Sequence, residues 1–510
     1  MESNSKNTKR IFKNTIVLYV RMIVIMLIAL YSSRIILQAL GIEDYGLYNV
    51  VGGVVVMLGF LKSSLTSATQ RFLSFEMGRK EYDRLKNVFS VCLSTHLLIA
   101  AIIFVLAETL GLWFLNTHIQ IPAGRELAAN WVYHFSVVSL CLSVITVPYH
   151  ACTISHERMS FFAWVSILDA VLKLGFAFAL MLTSSDRLIL YGGLMMMTQV
   201  INLLLYWWYD RRNFEESKYR WYWDKSMFKQ IFSFSGWTIL GQLAVVGSAQ
   251  GKGILVNIFH SVVANAAMGV AHQVNGALVG LTSNFQTAFQ PQLTKSYAAK
   301  DYEYLNKLIY GASKISFFLL FIVSLPFMLN INWVLGIWLT EVPEYSGTFC
   351  NLYIVASTLN ALATPLWISI FATGNIRAYQ ITVSAAYFTE IFVIYLFFVA
   401  GYPPTTAMEV KVGLNVVMVM IRLYFAKREV SSFSIVNYFK QVLFPILLST
   451  LLTVSIAFIL YQDEKGVTLQ IGSTVLISVM SIVFAYIVGL THSERKLLKN
   501  LITKKIKRRC

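Results

Sequence analysis

Arg34–Val88 reads RIILQALGIEDYGLYNVVGGVVVMLGFLKSSLTSATQRFLSFEMGRKEYDRLKNV, and the chain states this outline twice. An apolar helix end leads to a short acidic turn at Glu43 and Asp44. A long Gly/Val-rich run follows, closes on Ser, Thr and Gln, and gives way to a charged amphipathic segment. Shifted by 220 residues, the outline recurs without a gap. Ser63 falls on Ser283, Gln70 on Gln290, Lys80 on Lys300 and Tyr82 on Tyr302, while Leu58, Leu61, Ala68, Leu73 and Leu85 meet their own kind. Apolar matches come easily in so greasy a chain, so the polar ones carry the argument. A period this long is one half of a duplicated membrane protein rather than a solenoid repeat.

Composition agrees. The chain is 57% hydrophobic and 13% charged, where soluble domains carry nearer a quarter charged residues, and its mean hydropathy is +0.63. Apolar runs of about twenty residues, each able to cross about 30 Å of hydrocarbon as a helix, recur from end to end. The reading is an all-α polytopic membrane protein of fourteen transmembrane helices, built as two pseudo-symmetric six-helix bundles plus two C-terminal helices. Its expected parts are a cytoplasmic N-terminus (1–14), an N-terminal bundle (15–209), a cytoplasmic linker (210–230), a C-terminal bundle (231–426), two additional helices (427–491) and a basic cytoplasmic tail (492–510). The net charge of +17 does not point to nucleic acid. Lys and Arg gather in alternate loops and at both ends, as in Arg71/Arg79/Lys80/Arg84/Lys86 and Arg211/Arg212/Lys218/Arg220. The intervening loops are acidic or mixed, as at Glu43/Asp44, Arg125/Glu126 and Asp186/Arg187. By the positive-inside rule both termini are cytoplasmic and the N-terminal apolar stretch is a retained first helix. Five cysteines without a C-x-x-C pair read as buried thiols rather than a disulfide or metal framework. No cofactor or metal is expected.

Function should show in ionisable groups at membrane depth, each costing about 2.5–3.5 kcal/mol at the bilayer centre. Arg21 and Lys62 fall at like depth on neighbouring helices. Lys252 lies toward the outer end of span seven, as Arg34 does in span one. Lys314 and Arg422 sit near the cytoplasmic ends of their spans and read as snorkelling side chains. Asp169 and Lys173 lie one turn apart in mid-span, as a mutually neutralising pair or a gating and proton-coupling element. Glu390 is alone mid-span and must be protonated or paired across helices. His272 sits mid-depth in span eight among Gln and Asn, which also serve as helix-to-helix glue. Arg21, Arg34, Lys62 and Lys252 are therefore the candidates for binding an anionic substrate, and Asp169, Lys173, His272 and Glu390 those for proton coupling or gating. The outer loops are too short to hold a catalytic domain and no nucleotide-binding G-x-x-x-x-G-K-[ST] is present, so the chain is read as a transporter, not an enzyme.

RIILQALGIEDYGLYNVVGG, SATQRFLSFEMGR and EYDRLKNVF resemble the Wzx-type polysaccharide and O-antigen flippases of the multidrug/oligosaccharidyl-lipid/polysaccharide exporter superfamily. The resemblance implies alternating access by a V-shaped pair of bundles. It also implies a lipid partner, an undecaprenyl-diphosphate-linked oligosaccharide carried from the inner to the outer leaflet of a bacterial cytoplasmic membrane for polysaccharide or lipopolysaccharide assembly. A glycan polymerase is a further expected partner. In related lipid II flippases, arginines of span one contact the diphosphate and the last two helices form a groove for the lipid tail; span one here contains Arg21 and Arg34. Two rival readings remain: a multidrug or cation exporter of the same superfamily, which would lean on a carboxylate-led cavity, and a membrane polymerase or glycosyltransferase, which would need a larger outer loop.

Overall fold

The computed structural model describes residues 2–57, 59–118, 121–122, 124–183, 185–339, 341–460, 467–492 and 494–495. Among them the chain is helical, without strands. Among the described residues eleven helices are long and apolar enough to cross a membrane. The expected spans eight and twelve are helical too, on α9 (Val262–Ala298) and α14 (Thr406–Glu429), but too polar to count among the eleven, and expected span two is divided between the end of α1 (Glu2–Met57) and α2 (Gly59–Arg79). Under the repeat α9 corresponds to the end of α1 together with α2.

The chain forms two compact units, one of Phe12–Gln242 and one of the described residues of Leu243–Cys510 with Met1–Ile11. The division falls within α8 (Lys225–Phe259). The first unit holds α1 (Glu2–Met57) from Phe12 onward, α2, α3 (Tyr82–Leu106), α4 (Leu112–His118), α5 (Glu126–Ser155), α6 (Met159–Met181) and α7 (Arg187–Asn213). α1 bends at Gly41, whose φ of 79° and ψ of 170° belong to a backbone region that is essentially glycine-only. That bend lies just before the acidic turn, where the first apolar run ends. The second unit holds α9, α10 (Tyr302–Leu329), α11 (Ile331–Trp338), α12 (Ser346–Thr373), α13 (Arg377–Val399), α14, α15 (Ile435–Tyr438), α16 (Phe444–Leu460) and α17 (Val467–Phe484). The last two long helices bury 28% and 22% of their apolar windows, no less than the 18%, 17% and 22% of those on α1, α6 and α7, against 72% for α5 and α12.

Two helix ends share a backbone turn at the spacing of the sequence repeat. α2 and α9 both end on a lysine in the left-handed region, Lys80 (φ 60°) and Lys300 (φ 58°). Lys80 N–H donates to the Met77 carbonyl and Glu81 N–H to that of Glu76. Lys300 N–H donates to the Tyr297 carbonyl and Asp301 N–H to that of Ser296, the same cap at the same spacing. α5 and α12 echo each other likewise. Each carries an internal proline, Pro148 and Pro365, and each is followed nine residues later by a left-handed residue, Glu157 and Gly374.

The loop charges sort to opposite ends of the first unit. At one end Arg125 holds both Asp44 and Asp186: Nε donates to Asp44 Oδ1 at 2.9 Å, Nη1 to Asp186 Oδ2 at 2.7 Å, and Nη2 to Asp44 Oδ2. One guanidinium thus joins the acidic turn of α1 to the starts of α5 and α7. At the other end Arg84 pairs with Glu76 at 3.3 Å, Lys86 with Glu215 at 3.1 Å, and Arg220 N–H donates to Ser90 Oγ. Trp221 and Trp223 of the connecting segment are exposed, as side chains at home in the headgroup region are.

Burial tends to raise the Asp186 carboxyl, but the amides of Ile189 and Leu188 and the Arg125 guanidinium outweigh it and hold its pKa below the usual value. A depressed carboxyl pKa stabilises the fold above its unfolded value of about 3.9 and loses that contribution as pH falls through the folded value. Arg125→Ala is expected to cost about 1–2 kcal/mol at neutral pH, the clasp being partly exposed. Thermal melts of wild type and variant should differ from pH 7 to about 4 and converge at lower pH. A gap that persists at pH 2 would assign the clasp no charge-dependent role.

Candidate functional site

Within the first unit, α1, α2, α5, α6 and α7 enclose a cavity of about 590 Å³. α6 supplies Asp169 and Lys173, which helical periodicity places one turn apart on one face; α2 supplies Lys62, and α5 His150. Lys173 Nζ lies 2.7 Å from Asp169 Oδ2, and Asn202 of α7 donates to Asp169 Oδ1 at 2.8 Å. Both aspartate oxygens are therefore occupied. Lys62 makes no ion pair or side-chain hydrogen bond of its own among the described residues, although it faces the same space. Two lysines against one aspartate leave the lining cationic. Arg21 stands beside it: Nη1 donates to Ser166 Oγ at 3.1 Å and the guanidinium lies 4.5 Å over the Phe162 ring. The remaining wall is aromatic. Tyr48 and Tyr191 pack 4.6 Å apart, and His150 stands edge-on to Phe162 and Tyr206 at 5.1 and 5.5 Å. Its Nδ1 is buried without a hydrogen-bond partner.

Of the residues singled out in the sequence, Lys62, Asp169 and Lys173 meet in this cavity, with Arg21 at its edge. Arg34 is exposed and does not line it. The others lie in the second unit. Lys252 is only 3% and Glu390 2% exposed, and they pair at 2.8 Å. Ser248 donates to the second Glu390 oxygen, and Lys411 Nζ approaches the first at 3.9 Å while lying 4.6 Å over the Tyr387 ring. Glu390 is therefore paired across helices, and Lys252 is spent on that pair. His272 is exposed, 6.0 Å edge-on from Tyr353. Lys314 and Arg422 depart from the snorkelling expected of them, since a partner on a facing helix satisfies each charge more cheaply than a reach to the headgroups. Lys314 is 1% exposed and bound to Glu494. Arg422 donates to Asn360 Oδ1 at 2.9 Å and to the Tyr379 hydroxyl at 3.3 Å.

His150, Asn202 and Lys411 were not legible as site residues. For His150 the signal was its place in span four two residues after Pro148; for Lys411, its place inside span twelve. The second unit also holds an apolar groove of about 280 Å³ between α10, α11 and α17, walled by Phe327, Trp333, Ile471 and Val475, with Asn330 donating to Thr474 Oγ1 at 2.8 Å beside it.

This architecture is that of the MATE-type transporters. An outward-facing multidrug resistance MATE family transporter of the MOP superfamily superposes with a TM-score of 0.70 at 15% identity, covering 84% of this chain and 97% of that one. The Vibrio cholerae MATE transporter VcmN gives 0.67 at 14%, covering 86% and 100%. A MOP superfamily transporter from Pyrococcus furiosus, described as having a binding pocket of reverse polarity, gives 0.67 at 14%, covering 82% and 96%. At such identities the likeness establishes the fold. A search for similar curated proteins finds no match. The family model described as "Polysaccharide biosynthesis protein" matches residues 11–297, more than half of the chain. The chain belongs to the polysaccharide biosynthesis protein family.

Proposed function

We propose that the protein flips an undecaprenyl-diphosphate-linked oligosaccharide from the cytoplasmic to the outer leaflet of a bacterial inner membrane by alternating access. In this reading fourteen helices form pseudo-symmetric bundles over 15–209 and 231–426 plus two further helices over 427–491, joined by the linker 210–230, with the N-terminus (1–14) and the basic tail (492–510) cytoplasmic. The observation that carries it is the cavity of the first unit, where an unpaired Lys62 and the Lys173–Asp169 pair face tyrosine walls. A diphosphate cannot cross hydrocarbon without replacing its water. Lysine and arginine donors supply charge-assisted hydrogen bonds to phosphate, and aromatic faces suit the CH faces of sugar rings. Lys62, Lys173 and Arg21 are the substrate cations proposed here, since Arg34 does not line the cavity and Lys252 is paired with Glu390. The apolar groove beside α17 offers a place for part of the isoprenoid tail. Asp169 is the coupling or gating candidate inside the cavity; Glu390 and His272 remain such candidates in the second unit. A glycan polymerase acting on the product is the proposed downstream partner.

The exporter fold supports one other reading, export of organic cations. Native mass spectrometry of the purified protein separates the two. Undecaprenyl diphosphate is expected to be retained and to be displaced by inorganic pyrophosphate, while a lipophilic phosphonium cation is not. Retention of the cation alone would establish the exporter reading instead.

A further inference from the structure

At the basic end of the first unit three potential metal ligands converge. Cys152 and His156 lie one turn apart near the end of α5, and Glu216 comes from the short turn Glu215–Ser217 after α7. One donor atom from each lies within 4.8 Å of the others. Cys152 Sγ is 4.0 Å from Glu216 Oε1, and His156 Nε2 meets the same oxygen in a short contact. Phe214 stacks on the imidazole at 3.8 Å with an interplanar angle of 8°, closing one side.

A second observation comes from Asp210 at the end of α7. It is 0% exposed. Thr153, the residue after Cys152, donates to its Oδ1 at 2.8 Å, while its Oδ2 has no hydrogen-bond partner. Asp210 lies near enough to Cys152 and Glu216 to interact electrostatically with both. No lysine or arginine among the described residues makes an ion pair with Asp210 or Glu216; Lys86 is taken by the exposed neighbour Glu215. The imidazole of His156 meets Glu216 rather than Asp210, which is left with no cationic partner among the described residues, and a buried carboxylate without a counter-charge is costly.

We propose that Cys152, His156 and Glu216 bind one divalent transition ion, zinc foremost, with the buried Asp210, which lies outside their 4.8 Å group, drawn in as fourth donor. A thiolate, an imidazole and two carboxylates suit zinc and disfavour magnesium and calcium, which take oxygen alone. Bonds of about 2.0–2.3 Å set tetrahedral ligand atoms roughly 3.3–3.8 Å apart, so His156 and Glu216 separate slightly to admit the ion while Cys152 moves in. All ligands being protein groups, the site is structural: it staples the segment after α7 to the end of α5. It is independent of the transport reading.

The test uses the full-length protein in detergent, stripped with EDTA and titrated with Co(II). One ion per chain is expected, with a thiolate-to-cobalt charge-transfer band that Cys152→Ser abolishes. Glu216→Gln and Asp210→Asn should each weaken binding about tenfold or more, and Glu215→Gln should leave it unchanged. X-ray absorption of the zinc-loaded wild type supplies a readout that needs no variant: one sulfur and three nitrogen or oxygen ligands are expected. No stoichiometric binding by the wild type, a band untouched by Cys152→Ser, or a zinc sphere without sulfur overturns the proposal.

Discussion

Lys62→Ala is expected to slow glycan translocation about tenfold to a hundredfold while leaving the protein folded. The magnitude follows from one charge-assisted hydrogen bond to phosphate, about 1.5–3 kcal/mol, with about 1.4 kcal/mol for each factor of ten. Lys62 is the residue to choose because the other cations near the cavity are engaged: Lys173 with Asp169, and Arg21 with Ser166 and the Phe162 ring. No partner in the described structure loses a bond when its side chain is removed, so thermal stability should change by less than about 0.5 kcal/mol. Lys62→Arg should keep most of the activity, since it restores a cation with more donors on a similar stem. Initial rates of leaflet transfer in membrane vesicles at matched expression decide the matter. Wild-type rates in Lys62→Ala would remove the cavity from the pathway.

The second large effect belongs to the other unit and concerns stability. Glu390→Leu is expected to destabilise the protein by about 3–5 kcal/mol, because it strands a buried cation. Lys252 is 3% exposed and its remaining polar neighbour is Ser248 at 3.2 Å. Lys411 is less affected, having partial exposure and the Tyr387 ring. The double variant Lys252→Met/Glu390→Leu should recover most of the loss, as buried ion pairs replaced by apolar groups of similar volume generally do. Thermal unfolding of the purified single and double variants in one detergent measures both numbers. If the double variant is no more stable than Glu390→Leu, the pair is not the anchor that its burial suggests. If it is stable but inactive, the charges serve transport as well.

The helical plan was legible because its signals are local. Apolar runs, alternating loop charge and the polar matches at Gln70/Gln290 and Lys80/Lys300 need no knowledge of what packs on what, and the two lysine caps repeat bond for bond. Asp169 and Lys173 were legible for the same reason, one helix and one turn. What eluded the sequence is convergence of distant segments. Nothing in span eleven names Lys252 as the partner of Glu390, and nothing in α10 names Glu494 as that of Lys314. Depth along a helix says how far a charge is from water, but not which neighbour waits at that depth. For the same reason Lys252, read as a substrate cation, turns out to be held by a carboxylate, and Tyr48, Tyr191 and Asn202, ordinary in their own helices, become walls of the cavity.

The central claim is that this chain carries a lipid-linked phosphosugar between leaflets. Its most direct test is the leaflet distribution of lipid-linked glycan in cells lacking the gene, read by labelling glycan accessible from outside in intact cells and total glycan after lysis. The account predicts accumulation on the cytoplasmic side, relieved by the wild-type gene and not by Lys62→Ala. Unchanged outer-leaflet labelling in the deleted strain, with no rise in the total, would contradict it.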